Sequence, residues 1–249
     1  SATTSTSSSA LSAENDTWNS WLSSGVTYTP FEPFSTVDWP GRLCCVAFLA
    51  GCPWRCPYCQ NHELRDPAAG RLGEDDLWAF LEARRGLLDG VVFSGGEPLA
   101  QADVVSAMEA ARERGFAVGL HTCGAYPEHL AEALPLLDWV GLDVKAPWES
   151  YERVTGLAGS GERAERSLAL LLDAGIEFEA RTTWHPDLLS AEDIADIGRD
   201  LAARGVRSWA VQAYRHLGTT GELADKTVYP FDVPEEVSGL FAEYVFRRA

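Results

Sequence analysis

The sequence predicts an α/β fold with parallel strands, arranged as a partial (β/α)6 TIM-like barrel. Three observations predict it. Short apolar runs alternate with longer segments of helical period, six times in succession. Gly115, Gly175 and Gly205 stand where helices should end. The chemically unusual residues fall just after the apolar runs, at the C-terminal ends of the expected strands, where barrels gather their function. Periodicity and right-handed crossovers alone also allow a doubly wound sheet. The third observation favours the barrel.

The expected strands are 44–50, 91–94, 116–121, 139–144, 176–183 and 208–213. Each is short, apolar and rich in β-branched or aromatic residues, as suits a parallel sheet buried on both faces. Helices are expected between them at 74–85, 101–114, 128–134, 162–174 and 191–204, with a last one at 235–246. Ser190 followed by Asp193 reads as a helix cap with an acidic first turn.

The chain of 249 residues is long enough for one large α/β domain. Residues 1–24 are expected to be a flexible Ser/Thr-rich tail and 25–249 the folded domain. Thirteen of the first 25 residues are Ser or Thr, and no Lys or Arg occurs before Arg42. Such a segment buries too little apolar surface to offset its ordering entropy. It has neither the basic start and apolar stretch of a secretory signal nor the arginines of a mitochondrial one. No run of 18 apolar residues occurs, so no membrane span is expected. The balance of 20 basic to 37 acidic residues, a net −17, argues against nucleic acid as a partner and for solubility.

Six cysteines are present, and five of them, Cys44, Cys45, Cys52, Cys56 and Cys59, fall within sixteen residues. A disulfide scaffold would spread them out, so the crowding suggests metal ligation in a reducing, cytoplasmic setting. The loop after the first strand reads Gly51-Cys-Pro-Trp-Arg-Cys-Pro-Tyr-Cys-Gln-Asn61. Cys52, Cys56 and Cys59 are separated by three residues and then two. Three thiolates can hold three irons of a cubane and leave the fourth open to a small ligand. Zinc also accepts thiolates and usually takes four ligands, for which His62 is the candidate. His62 lies only three residues beyond Cys59, however, in a crowded loop. Cys44, Cys45 and Cys123 read as small buried hydrophobes.

The Cys-x3-Cys-x2-Cys spacing, with Tyr58 before the third cysteine, resembles the radical S-adenosylmethionine (SAM) superfamily. Upstream, Ser35-Thr-Val-Asp-Trp-Pro-Gly-Arg-Leu43 is similar to the Thr-Val-Asp-x-Pro-Gly segment of glycyl-radical activating enzymes. That subgroup includes the activators of pyruvate formate-lyase and of anaerobic ribonucleotide reductase. The resemblance implies a [4Fe–4S] cluster on Cys52, Cys56 and Cys59, with SAM on its open iron. It places Tyr58 at the adenine and Asn61 beside SAM. Phe93-Ser-Gly-Gly-Glu-Pro98 matches the family's Gly-Gly-Glu-Pro, which implies that Gly95, Gly96 and Glu97 hold the SAM amino group. His121-Thr-Cys-Gly124 stands where the family often has Asp-Thr-Asn-Gly; Thr122 and Gly124 match, and His121 and Cys123 depart. Asp143 and Lys145 match an Asp-x-Lys that contacts SAM, and Arg181 matches an arginine able to pair with its carboxylate. After the sixth strand, Arg215 stands where pyruvate formate-lyase activators tend to have His, with His216 displaced by one. That pattern is closer to the ribonucleotide reductase activators.

The resemblance therefore implies a radical SAM oxidoreductase. An electron from a flavodoxin-like donor cleaves SAM reductively, and the resulting 5′-deoxyadenosyl radical takes a hydrogen atom from a glycine of a partner enzyme. Anaerobic ribonucleoside-triphosphate reductase is the first choice of partner. No side chain is required as acid or base, so no catalytic residue is expected. Two other readings stand beside it: a radical SAM enzyme acting on a small molecule, similar to 7-carboxy-7-deazaguanine synthase, and a zinc-stabilised binding protein.

Overall fold

The computed structural model describes residues 31–70, 74–216, 219, 223 and 233–248. The expected tail at 1–24 lies outside the described residues, as do Leu217 and Gly218.

Eight strands form one sheet in sequence order: β1 (Glu32–Ser35), β2 (Cys44–Leu49), β3 (Gly90–Gly95), β4 (Ala117–Thr122), β5 (Trp139–Asp143), β6 (Phe178–Trp184), β7 (Ser208–Ala213) and β8 (Glu243–Arg247). Strands β2 to β8 pair in parallel and β1 runs antiparallel to β2. The sheet order ends at β1 and β8, which do not pair, so the barrel is partial. The helices are α1 (Glu74–Glu82), α2 (Val104–Glu113), α3 (Pro127–Ala133), α4 (Tyr151–Thr155), α5 (Ser160–Ala174), α6 (Ala191–Ala203) and α7 (Glu235–Ser238).

All six expected strands form, within two residues at most of their expected ends. Ser190 and Asp193 make the reciprocal capping box that opens α6. The last helix is a correction. Only Glu235–Ser238 is helical, and Glu243–Arg247 forms β8 instead. Glu-Tyr-Val-Phe-Arg is a strand-forming composition, and pairing it with β7 covers an edge that would otherwise be open. Strand β1 and helix α4 are further elements the periodicity missed, being four and five residues long.

Strand side chains alternate between two layers. Cys45, Ala47, Leu49, Val91, Phe93, Val118, Leu120, Val140, Leu142 and Val211 pack with the helices in the main core. Their neighbours point into the barrel. There, Cys44, Val46, Val92 and Trp139 form a second, small cluster around Trp39. Trp39 stacks on Trp139 with ring centroids 5.8 Å apart. Glycines make the room: a Cβ on Gly119 would lie 2.9 Å from the Trp39 ring, and one on Gly90 would lie 3.1 Å from it. Cys44 and Cys45 are wholly buried, and burial pushes both thiols up to about 12. They behave as the expected hydrophobes.

Candidate active site at the strand ends

The cysteine loop leaves the end of β2 and folds back over the ends of β2 and β3. Gly51 N–H donates to Leu64 O at 2.7 Å, and Cys52 N–H to Arg65 O at 3.2 Å. Glu97 N–H donates to Gly51 O at 2.7 Å, and Asn61 Nδ2 to Gly95 O at 3.0 Å. Gly96 has no room for a side chain. A Cβ there would sit 2.3 Å from Gly51 O and 2.8 Å from Leu64 O. The glycine pair thus seats the cysteine loop against β3, and Asn61 ties the loop to the glycine turn. Arg55 N–H, between the first two cysteines, donates to Thr155 O of α4 at 2.7 Å.

Cys56 is buried, and Cys52 and Cys59 are partly exposed. Burial pushes the Cys56 thiol up to about 12 and raises that of Cys59. Hydrogen bonding with the Cys123 thiol brings Cys52 down instead. Cys123 is therefore more than a buried hydrophobe: it stands beside the first cysteine of the motif. Among the described residues, no three His, Cys, Asp or Glu side chains converge as ligands of one metal ion would. A cubane makes no such demand, because each thiolate binds its own iron.

Glu97 is wholly buried. Its carboxylate accepts from Thr122 Oγ1 at 2.9 Å to each oxygen, from Cys123 N–H at 2.7 Å and from Leu99 N–H at 3.1 Å. Burial raises its pKa, against the opposing hydrogen bonds from Cys123 and Thr122. With four such contacts the carboxylate is held in a fixed orientation. Thr122 is thus a partner of Glu97.

Inside the barrel, Lys145 Nζ lies 3.0 Å from Asp143 Oδ2, 5.9 Å from the Trp54 ring and 5.7 Å from the Tyr58 ring. Tyr151 Oη accepts from Lys145 N–H at 3.0 Å and donates to Asp143 O at 3.1 Å, so α4 fixes the loop after β5. The surrounding protein opposes both charges. The two groups outweigh it for each other: Asp143 is held below the usual carboxylate range, with help from Arg181, and Lys145 well above the usual amine range. Tyr58 Oη and Trp54 Nε1 are buried without a hydrogen-bond partner. Burial raises the Tyr58 phenol well above its ordinary value.

Arg181 extends from β6 over the Trp139 ring, 5.6 Å from its centroid. Its Nε and Nη2 are buried and lack hydrogen-bond partners. Burial lowers its pKa. His121 faces the same interior. Its Nε2 is 2.7 Å from Asp38 O, which can only accept, so Nε2 carries the proton. Nδ1 then accepts from Ser94 Oγ at 3.3 Å. Arg215 is the outlier among the expected site residues. Its side chain is exposed, and only its carbonyl meets the cysteine loop, accepting from Gln60 Nε2 at 3.3 Å.

The strand ends bring together three thiols, a buried carboxylate and an Asp–Lys pair, with an arginine from within β6 beside them. Residues 46–201 match the family model of the radical SAM superfamily.

The chain belongs to the radical SAM superfamily.

Members of this family use a [4Fe–4S] cluster and SAM, and this chain is an enzyme of that kind. A Methanocaldococcus jannaschii protein assigned to glycyl-radical enzyme activation is 33% identical over 172 residues, covering 66% of this chain and 71% of that one. The pyruvate formate-lyase-activating enzyme of Streptococcus mutans is 34% identical over 208 residues, covering 75% and 76%. The crystal structure of Streptococcus suis SuiB bound to S-adenosylmethionine shares the fold, with a TM-score of 0.58 at 14% identity over 80% of this chain and 48% of that one. This chain therefore spans about half of SuiB. The residues present fit the two groups: three soft thiols on one loop suit the cluster, and the unpartnered buried Tyr58 Oη and Arg181 N–H groups suit a polar ligand beside it. No helix among the described residues is long and apolar enough to cross a membrane.

Proposed function

We propose that this radical SAM enzyme activates a glycyl-radical enzyme, with anaerobic ribonucleoside-triphosphate reductase as the partner and a flavodoxin-like protein as the electron donor. The observation that carries the reading is the way segment 35–43 is built into the barrel. Trp39 fills the interior between Gly90 and Gly119 and stacks on Trp139, while Asp38 O accepts a hydrogen bond from His121 Nε2–H. The segment that resembles the activating subgroup is thereby joined to the site. The likeness to two activating enzymes at 33% and 34% identity supports the same reading.

In this reading residues 25–249 form one radical SAM domain, working in the reducing cytoplasm. Cys52, Cys56 and Cys59 hold the cluster, which when bound supplies the electron for reductive cleavage of SAM. Tyr58 flanks the adenine. Glu97 supplies negative charge for the SAM ammonium, with Gly95 and Gly96 fixing the turn and Thr122 orienting the carboxylate. Lys145 and Arg181 present positive charge to the SAM carboxylate, Asp143 orients Lys145, and Asn61 braces the loop on Gly95. Arg215, exposed just beyond β7, is assigned to the nucleoside by the resemblance alone. The work of these side chains is to bind, orient and exclude water. Among the described residues β1 and β8 do not pair, which accords with admission of a protein loop.

The test is to mix reconstituted, reduced protein and SAM with candidate glycyl-radical enzymes under anaerobic conditions. The expected result is a glycyl-radical EPR doublet on the partner. SAM cleavage coupled only to turnover of a deazaguanine precursor, with no doublet on any partner, would move the assignment to a small-molecule enzyme.

A further inference from the structure

Arg181 sits between two carboxylates and is hydrogen-bonded to neither. Its Nε is 4.0 Å from Asp143 Oδ1 and 4.0 Å from Glu179 Oε1. Each of those carboxylates is taken by another cation at closer range. Lys145 holds Asp143 at 3.0 Å. Arg247, on the last strand β8, reaches back across β7 and grips both oxygens of Glu179 at 2.8 Å. The five side chains alternate in sign: Lys145, Asp143, Arg181, Glu179, Arg247. Arg181 is the middle cation and the one left with unbonded N–H groups. Its place is set sterically as well. A Cβ on Gly141 would lie 1.5 Å from Arg181 Nη2, so the guanidinium lies against a strand position that only glycine leaves clear.

We propose that Arg247 is a positioning residue for SAM binding: by occupying Glu179 it keeps the Arg181 N–H groups free for an incoming carboxylate. The proposal rests on the reading above, in which that carboxylate belongs to SAM. The physical reason is the cost of a lone buried charge. The Glu179 side chain is 6% exposed. Without Arg247 it would be a buried carboxylate with no close partner, which is strongly unfavourable. Arg181 is the nearest remaining cation, and a small rotation would close a bidentate pair with it. The N–H groups meant for the ligand would then be consumed inside the barrel. Nothing in the family's strand-end motifs covers β8, yet β8 governs whether Arg181 is available.

The experiment measures the dissociation constant of labelled SAM by equilibrium dialysis against the cluster-reconstituted, unreduced protein. Four variants are compared with the parent, at matched iron content. Arg247→Met should weaken SAM binding about tenfold or more, the scale of one lost charge-assisted hydrogen bond. Glu179→Gln should bind within about threefold of the parent, because the carboxylate that would capture Arg181 is gone. Arg247→Met combined with Glu179→Gln should recover to the same level. Arg181→Met should be weak. Parent-like binding by Arg247→Met overturns the proposal. So does a double variant as weak as Arg247→Met alone, which would mean that undocking of β8, and not capture of Arg181, is responsible. A tenfold loss in Glu179→Gln alone also overturns it. Parent-like binding by Arg181→Met removes the reading of Arg181 as the SAM contact, and this proposal with it; a weak Arg181→Met beside an unaffected Arg247→Met removes this proposal alone.

Discussion

His121 shows how the interior of the barrel treats a titratable group. Burial lowers its pKa to about 3, with Arg181 adding to the effect and the hydrogen bond to Asp38 opposing it. An unfolded histidine takes its proton near 6.5. Between those values the unfolded chain binds a proton that the folded chain refuses. The His121 contribution to stability is therefore full above about pH 6.5 and is lost as the pH falls toward 3. His121→Gln should show a flatter dependence of the urea midpoint on pH between 6.5 and 4 than the parent; parallel curves would remove His121 from the account. Cys56 makes a different demand. It is the most buried of the three motif thiols, and as a thiolate it needs a metal beside it. Cys56→Ala should reconstitute with fewer irons than the parent, lose the broad absorbance near 400 nm and fail to cleave SAM. A colourless parent retaining one zinc would instead support the binding-protein reading.

Among the elements, the β3 turn and the cysteine loop form one unit through backbone contacts. The nearest atoms to a Cβ on Gly96 are the carbonyl oxygens of Gly51 and Leu64, which cannot swing aside as a flexible side chain would. Gly96→Ala should therefore lift the loop and lower iron incorporation, while the melting temperature changes little because the core on the helix side is untouched. Iron content measured after reconstitution checks this, and a full complement would show that the loop yields. The end of the chain carries a lesson about short elements. Segment 235–246 offered too few residues for a helical stripe to be told from a strand, and the decision fell to an empty edge of β7. Trp209 there packs against both Tyr244 and Phe241, at 5.7 and 5.1 Å. Strand-forming composition and a pairing partner in β7 together made this strand.

For the molecule as a whole, the barrel is held from two sides, by the helix-packed core and by the small interior cluster around Trp39. Trp39 is 4% exposed and packs with Cys44, Val46, Val92 and Trp139 in that cluster. Trp39→Ala should cost about 3–5 kcal/mol, read from urea unfolding. It should also loosen Trp139, on which Arg181 lies, so SAM binding should weaken in the same variant. A loss of stability with unchanged SAM affinity would separate plug from site.

The sequence by itself determined the alternation of strands and helices, the helix caps at Ser190 and the C-terminal glycines, the thiols, Glu97, Asp143 and Lys145 at strand ends, and Arg181 on β6. These are local signals, carried by residues a few positions apart. Only the tertiary structure decided which groups meet. Trp39 enters the barrel because Gly90 and Gly119, distant in sequence, leave space for it. Cys123 comes to Cys52, and Arg247 comes to Glu179 across an intervening strand. Arg215, which the motif pattern favoured, is left with an exposed side chain. A glycine within a strand leaves room for a close approach, but the approaching group comes from elsewhere in the chain. Contacts between distant strands depend on register and on which edge remains unpaired, and neither is written in any one stretch of the chain.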